Sequence, residues 1–359
     1  MISEMMIISF TSFLVFVLFC LYIYLVVIKT TNNRYARKKQ AWLTEHQEEI
    51  QAYLIHGDLE QVSFVPTKSH QFSALEDFFS VYLMNYKIDK NGSPIKKFIE
   101  HYFLAEYRKR LNDRKWGVRM NTLYFFDLFK LDVIQDDILQ HLKRPNLSKE
   151  EEYQIFILLA SLEYDNCYEV FKESKGLPPF LLNVILNRLV DENNLSEYLE
   201  MFEELDQSWQ IGLLDLIRNK NLRSLEIITF LENLLNTEAS ELRIRALKTV
   251  AHIGYLSSPE VIISWFETNS QRENWKSDET TGERLMAARL FGMIKDEQFI
   301  QFLEELISDQ KFMVRTEAAK AFRKYKNGKE RLLIIVNNHS DKYSRNIALE
   351  WLERSLDYE

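Results

Sequence analysis

Glycine and proline are scarce, nine and six in a chain of 359 residues. Sheets joined by tight turns draw on both, so this shortage argues against a long β-rich protein, and the many Leu, Ile, Glu and Lys residues point to helices. Cysteine is scarcer still. Cys20 and Cys167 are too few and too separated to staple a fold, which fits a reducing compartment. At 46% apolar residues the chain has ample material for a core, and disorder of the whole chain is excluded.

Spacings that carry catalysis are also missing. His46, His56, His70, His101, His141, His252 and His339 are scattered, with no HExxH and no Cys-rich metal set. The glycines form no GxGxxG, P-loop or GxSxG elbow, and "NGKERL" has Gly-Lys without the following Ser or Thr. The acidic pairs Glu151 with Glu152 and Asp136 with Asp137 read as solvated faces of charged helices. The expectation is a chain without catalytic residues, cofactor or metal.

Charge is present but unevenly spread. Residues 29–40 carry Lys29, Arg34, Arg37, Lys38 and Lys39 and no acid, and residues 1–28 hold only Glu4. The total of −8 therefore understates the acidity of residues 41–359. An acidic body behind a basic collar does not fit a nucleic-acid binder, whose affinity comes from neutralising phosphates.

The one long apolar run is at the start. "MMIISFTSFLVFVLFCLYIYLVVI", Met5 to Ile28, has no charged residue. As a helix it is about 36 Å long at roughly 1.5 Å per residue, enough for a hydrocarbon core of about 30 Å. A cleaved signal peptide fits less well, because the basic n-region is absent, the run is too long and no small-x-small site follows. Lys and Arg flanks stay on the cytoplasmic side, so the expectation is a single-pass anchor in the cell membrane, N-terminus outside and the rest in the cytoplasm. Tyr22, Tyr24 and Trp42 suit the interface. The collar is a topology signal that also attracts anionic headgroups.

Residues 40–55 have helical periodicity, and residues 56–71, with Gly57, Pro66 and Ser69, break it. Residues 72–86 and 95–110 are amphipathic again, separated by a turn in "KIDKNGSPIKK". Beyond them a pattern recurs. In "KFMVRTEAAKAFRKY" an apolar residue precedes Arg315, and Val314, Ala318, Ala319, Phe322 and Tyr325 share one helix face. "SRNIALEWLERS" repeats it around Arg345, "ERLMAARLFGMI" around Arg284 and "LRIRALKTVAHIG" around Arg243. Fainter copies lie in "WQIGLLDLI", "EEYQIFILLASL" and "VRMNTLYFFDLF", and residues 178–190 fill one slot by hydrophobicity alone. Each copy follows another apolar helix. Two-helix units at intervals of 30 to 40 residues cannot bury their apolar faces alone and must stack. The fold class expected is all-α: an α-solenoid of about six to eight helical pairs after one transmembrane helix.

"LISDQKFMVRTEAAKAFRKY" resembles a HEAT repeat, with an acidic turn, Val-Arg and paired small residues. The likeness covers residues 222–355 best and 110–220 less closely. It implies that Arg243, Arg284, Arg315 and Arg345 form a structural ladder bonding to neighbouring turns. The order of anchor, collar, connector and repeats resembles a group of bacterial membrane-anchored HEAT-repeat proteins, with "RKWGVRMNTLYFFDLFKL" similar to that group's first repeat. Members of the group occur with membrane glycosyltransferases of polysaccharide synthesis or export, which is what the resemblance implies about a partner.

The domains expected are an anchor over 1–28, a collar, short helix and connector over 29–71, a helical cap over 72–110 and repeats over 111–359, the weak slot near 178–190 leaving open whether the array hinges there. The interval between Arg243 and Arg284 holds a polar surplus, "ETNSQRENWKSDETTGER". Insertions in repeat arrays emerge as loops on one face, often the binding face. Arg272, Trp275 and Lys276 are thus candidates for partner binding. The competing reading is a loop whose Trp folds back onto the repeat. Deleting residues 267–280 is expected to leave folding intact.

These features point to a membrane-tethered cytoplasmic scaffold for a protein partner. The alternatives are a HEAT-like enzyme of the nucleic-acid glycosylase or lyase type, or a sensor of lipid or ligand at the membrane surface.

Overall fold

A computed structural model describes residues 2–86, 93–164, 167–172 and 176–354. Every regular element among them is a helix. The chain divides into two compact units, Met1–Glu173 and Ser174–Glu359. The expected repeat segment 111–359 is therefore divided between them, and the division falls just before the weakly matching slot at 178–190. The turn expected around Asn91 and Gly92 lies outside the described residues.

The first unit holds α1 (Ile2–Glu45), α2 (Gln47–His56), α3 (Ser69–Asn85), α4 (Pro94–Tyr102), α5 (Leu104–Leu111), α6 (Trp116–Phe129), α7 (Gln135–Leu142), α8 (Lys149–Ser161) and α9 (Cys167–Lys172). The boundary expected at residue 28 does not exist as a break. Helix α1 runs through the collar for 44 residues. Thr30 and Thr31, poor helix formers, are accommodated because their hydroxyls donate back to the carbonyls of Val26 at 2.7 Å and Val27 at 3.0 Å. The break comes at His46, whose ring lies 4.7 Å from that of Trp42. Gly57 closes α2 with φ of 70°, the left-handed conformation in which its N–H reaches the Tyr53 carbonyl.

Helix α1 also docks. Tyr35 Oη lies 3.3 Å from Ser69 Oγ, and Lys39 Nζ donates to Ser73 Oγ at 3.0 Å and pairs with Asp77. The core beneath is aromatic: Phe64, Phe79, Phe98, Phe103 and Tyr107 are all buried, and the Phe98 ring lies 5.2 Å from Phe64 and 5.6 Å from Phe79.

The second unit holds α10 (Pro179–Leu189), α11 (Leu195–Glu200), α12 (Gln207–Asn219), α13 (Leu225–Asn233), α14 (Ser240–Ile253), α15 (Pro259–Ser270), α16 (Thr281–Ile294), α17 (Ile300–Leu306), α18 (Phe312–Arg323), α19 (Gly328–Asn338) and α20 (Lys342–Glu353). The helices carrying the repeated pattern pack one on the next: α10 on α12, then α14, α16, α18 and α20. Small residues set that contact. Ala287, Ala288, Ala318 and Ala319 are fully buried, and a Cβ on Gly292 of α16 would come within 2.8 Å of the Ala321 Cα on α18. Gly292→Val should therefore destabilise the protein by about 1–3 kcal/mol, the usual range for overpacking. A thermal midpoint equal to wild type would show that α16 and α18 do not approach so closely.

Candidate functional site

The collar side chains sit on two faces of α1. Lys29, Arg34, Arg37 and Lys38 are exposed, whereas Lys39 is turned into the α3 contact. Tyr22 and Tyr24 are exposed on the apolar stretch, and Trp42, placed at the interface by its position in the sequence, is instead buried against His46. From Ile8 the helix has a mean hydropathy of 2.7 in its most apolar window, which makes it long and apolar enough to cross a membrane.

Four of the five repeated arginines share one geometry, and Arg284 instead donates to the carbonyls of Trp275 and Ser277, nine and seven residues back. Nη1 of Arg119, Arg243, Arg315 and Arg345 donates to the carbonyl six residues back, on Asp113, Thr237, Asp309 and His339, at 2.5–2.9 Å. Each arginine thereby closes the turn that leads into its own helix. Three of the five arginines also pair with an acid further along. Arg119 grips Glu151 at 2.6 and 3.0 Å, Arg243 meets Glu283 at 2.7 Å, and Arg284 meets Asp309 at 2.5 Å. Glu151 and Glu283 occupy the slot that elsewhere holds Val118, Leu242 or Val314. A carboxylate in the otherwise apolar slot of the repeat was the signal available in the sequence. It also corrects the reading of Glu151 as part of a solvated face, because that side chain is fully buried.

The insertion separates its candidates. Arg272 and Lys276 are exposed, but Trp275 is 2% exposed, with its ring 5.4 Å from Phe266 and 6.0 Å from Trp265. Its carbonyl accepts from Thr280 Oγ1 at 2.6 Å and from Arg284. The structure places this indole in the core of its repeat and offers none of it to a partner.

A further cluster is in the first unit, where sequence reasoning did not look. Residues 107–119, "YRKRLNDRKWGVR", hold six Arg and Lys against one acid, Asp113, a local excess hidden by the acidic total. The turn between α7 and α8 brings Lys143 and Arg144 beside them. Two adjoining cavities open there. One, of about 320 Å³, is lined by His141, Arg144, Asn146 and the Arg119–Glu151 pair. The other, of about 450 Å³, is lined by Arg108, Asn112, Asp137 and Lys143, and again by His141 and Arg144. Arg108 Nε lies 3.1 Å from Asp137, so Asp137 is ion-paired.

His141 and Glu151 form the floor. His141 Nε2 lies 3.4 Å from Glu151 Oε1, and its Nδ1 is buried with no hydrogen-bond partner. Burial and the Arg144 charge hold the imidazole below its ordinary pKa. For Glu151, burial pushes the other way but is outweighed by the Arg119 hydrogen bond, the Ser148 N–H and the Arg119 charge, which pull it down to about 2. Both shifts make acid destabilising. The His141 contribution declines as pH falls below its ordinary 6.5. That of Glu151 is complete above 4.5 and lost as pH falls towards 2. The stability gap between wild type and Glu151→Gln should accordingly be widest above 4.5 and close towards 2; a gap that held constant on acid titration would contradict the Arg119–Glu151 assignment.

No group of three or more metal-ligating side chains occurs among the described residues. No protein-family model matches the chain, and no curated protein matches it.

Proposed function

We propose that the chain is a membrane-tethered scaffold whose helical units, each a stretch of HEAT-like α-solenoid, dock a protein partner close to the bilayer. The observation that carries this reading is the continuity of α1. The helix long enough to span a membrane does not end in a flexible linker but continues to Glu45 and packs on α3. From Ile28 to Tyr35 is about 10 Å of helix, so the first contacts of the folded body lie just beyond the headgroups, whose layer adds about 5–8 Å to each side of the hydrocarbon core. The exposed Lys29 falls in that layer, and the exposed Arg34, Arg37 and Lys38 follow on its cytoplasmic side. In this orientation the N-terminus is outside and both units are cytoplasmic.

Such an anchor supplies high effective concentration in the plane of the membrane, so that modest contacts suffice for capture. Stacked repeats supply extended surfaces for those contacts. The resemblance to membrane-anchored HEAT-repeat proteins makes a membrane glycosyltransferase the partner of first choice, with scaffolding rather than catalysis as the role. Exchange of residues 2–28 for an unrelated single-pass helix of the same orientation tests the mechanism. Partner co-purification should survive the exchange and fall when the segment is deleted outright. Full capture by the protein lacking any anchor would rule tethering out.

A further inference from the structure

We propose that the cleft at the α7–α8 turn of the first unit binds a phosphate group, carried either by a soluble phosphorylated molecule or by a lipid headgroup. Arg144 forms the wall common to both cavities. Its guanidinium is steadied from behind: Nη1 donates to the Leu111 carbonyl at 3.5 Å and Nη2 to the Asn112 side chain. Asn112 is in turn held by its own donation to the Arg108 carbonyl at 2.7 Å. A guanidinium fixed in this way keeps further N–H donors in the planar fork that matches two phosphate oxygens.

The charges around it leave a positive remainder. The two acids lining the cavities are already matched, Asp137 by Arg108 and Glu151 by Arg119. Lys143 lines the larger cavity, is exposed and has no ion pair among the described residues. Ser148, the N-cap of α8, already accepts the Glu151 N–H, so where Leu147 and Glu151 border the smaller cavity the helix terminus contributes its dipole alone. His141, buried and lining both cavities, gives its Nε2 proton to Glu151, so its unpartnered Nδ1 is an acceptor open to a protonated phosphate oxygen. Lys109, Arg114 and Lys115, exposed and close in sequence to the lining residues Arg108 and Asn112, add a field that draws anions in. Cavities of this size suit a small phosphorylated group, whereas a polymer needs an open channel.

The test uses the full-length protein in nanodiscs of neutral phosphatidylcholine. Pyrophosphate titrated by calorimetry is the soluble probe, and nanodiscs containing phosphatidylglycerol, read by the thermal midpoint, are the headgroup probe. The collar is intact throughout. Lys143→Gln with Arg144→Gln should weaken the response at least about tenfold, the scale of a lost charge-assisted hydrogen bond. Arg114→Gln with Lys115→Gln, exposed and outside the lining of both cavities, should change it by less than about threefold, as expected of exposed charges. Lys143→Glu alone, at an exposed residue without a protein partner, should also weaken binding and covers the case in which the double variant fails to fold. A response to pyrophosphate assigns a soluble ligand, and one confined to phosphatidylglycerol assigns a headgroup. Equal losses in the variants inside and outside the lining, or no response of wild type to either probe, would overturn the site.

Discussion

Replacing Arg284 with methionine is expected to lower the stability of the second unit by about 3–5 kcal/mol, the range for removing one partner of a buried ion pair. Arg284 is 1% exposed and holds four groups at once: Asp309, the carbonyls of Trp275 and Ser277, and Thr280 Oγ1. Methionine fills similar volume but leaves the buried Asp309 carboxylate without its counter-charge. Arg315→Met is the comparison, because Arg315 is partly exposed, bonds the carbonyls of Asp309 and Gln310, and otherwise lies over the Tyr343 ring. It should cost about 1 kcal/mol, the net worth of such hydrogen bonds. Urea unfolding of the full chain in detergent, with hydrogen exchange resolving α16 and α18, reads both. Equal costs for the two variants would mean that Arg284 is no more than one ordinary rung.

Trp275→Ala should cost a similar amount, about 3–5 kcal/mol, as for other buried aromatic truncations. It removes the ring contacts with Trp265 and Phe266 and the surface beneath the Arg284 guanidinium, 5.9 Å from the ring. Because Trp275 and Arg284 touch, the double variant should lose less than the sum of the single losses. Deleting residues 267–280 should unfold the surrounding repeat, since it takes away Trp275, Thr280 and the carbonyls that Arg284 bonds. This reverses the expectation from the sequence. A deletion variant with native exchange protection in α16 would restore the reading of the segment as a dispensable loop.

The helices were legible because a repeated pattern leaves the same mark each time. Ala318, Ala319 and Phe322 share a face, and so do Ala287, Ala288 and Phe291; all six are buried. What periodicity cannot report is where a helix fails to stop. Thr30 and Thr31 are poor helix formers, yet their back-bonded hydroxyls carry α1 through the collar. The insertion admitted two readings because the neighbours of Trp275 are hydrophilic, while the indole itself has Phe266 within reach. The cleft was invisible for a different reason. Its walls, Arg108, Arg144 and His141, come from separate helices and turns, and no spacing along the chain announces that they meet. Only the local excess of bases over residues 107–119 was there to be read.

Tethered docking is tested most directly by photo-crosslinking in native membranes followed by mass spectrometry, comparing the full-length protein with an equally expressed form lacking residues 1–28. The expected result is a set of crosslinks to one integral membrane protein that disappears when the anchor is removed. Unchanged crosslinks without the anchor, or crosslinks to nucleic acid, would contradict it.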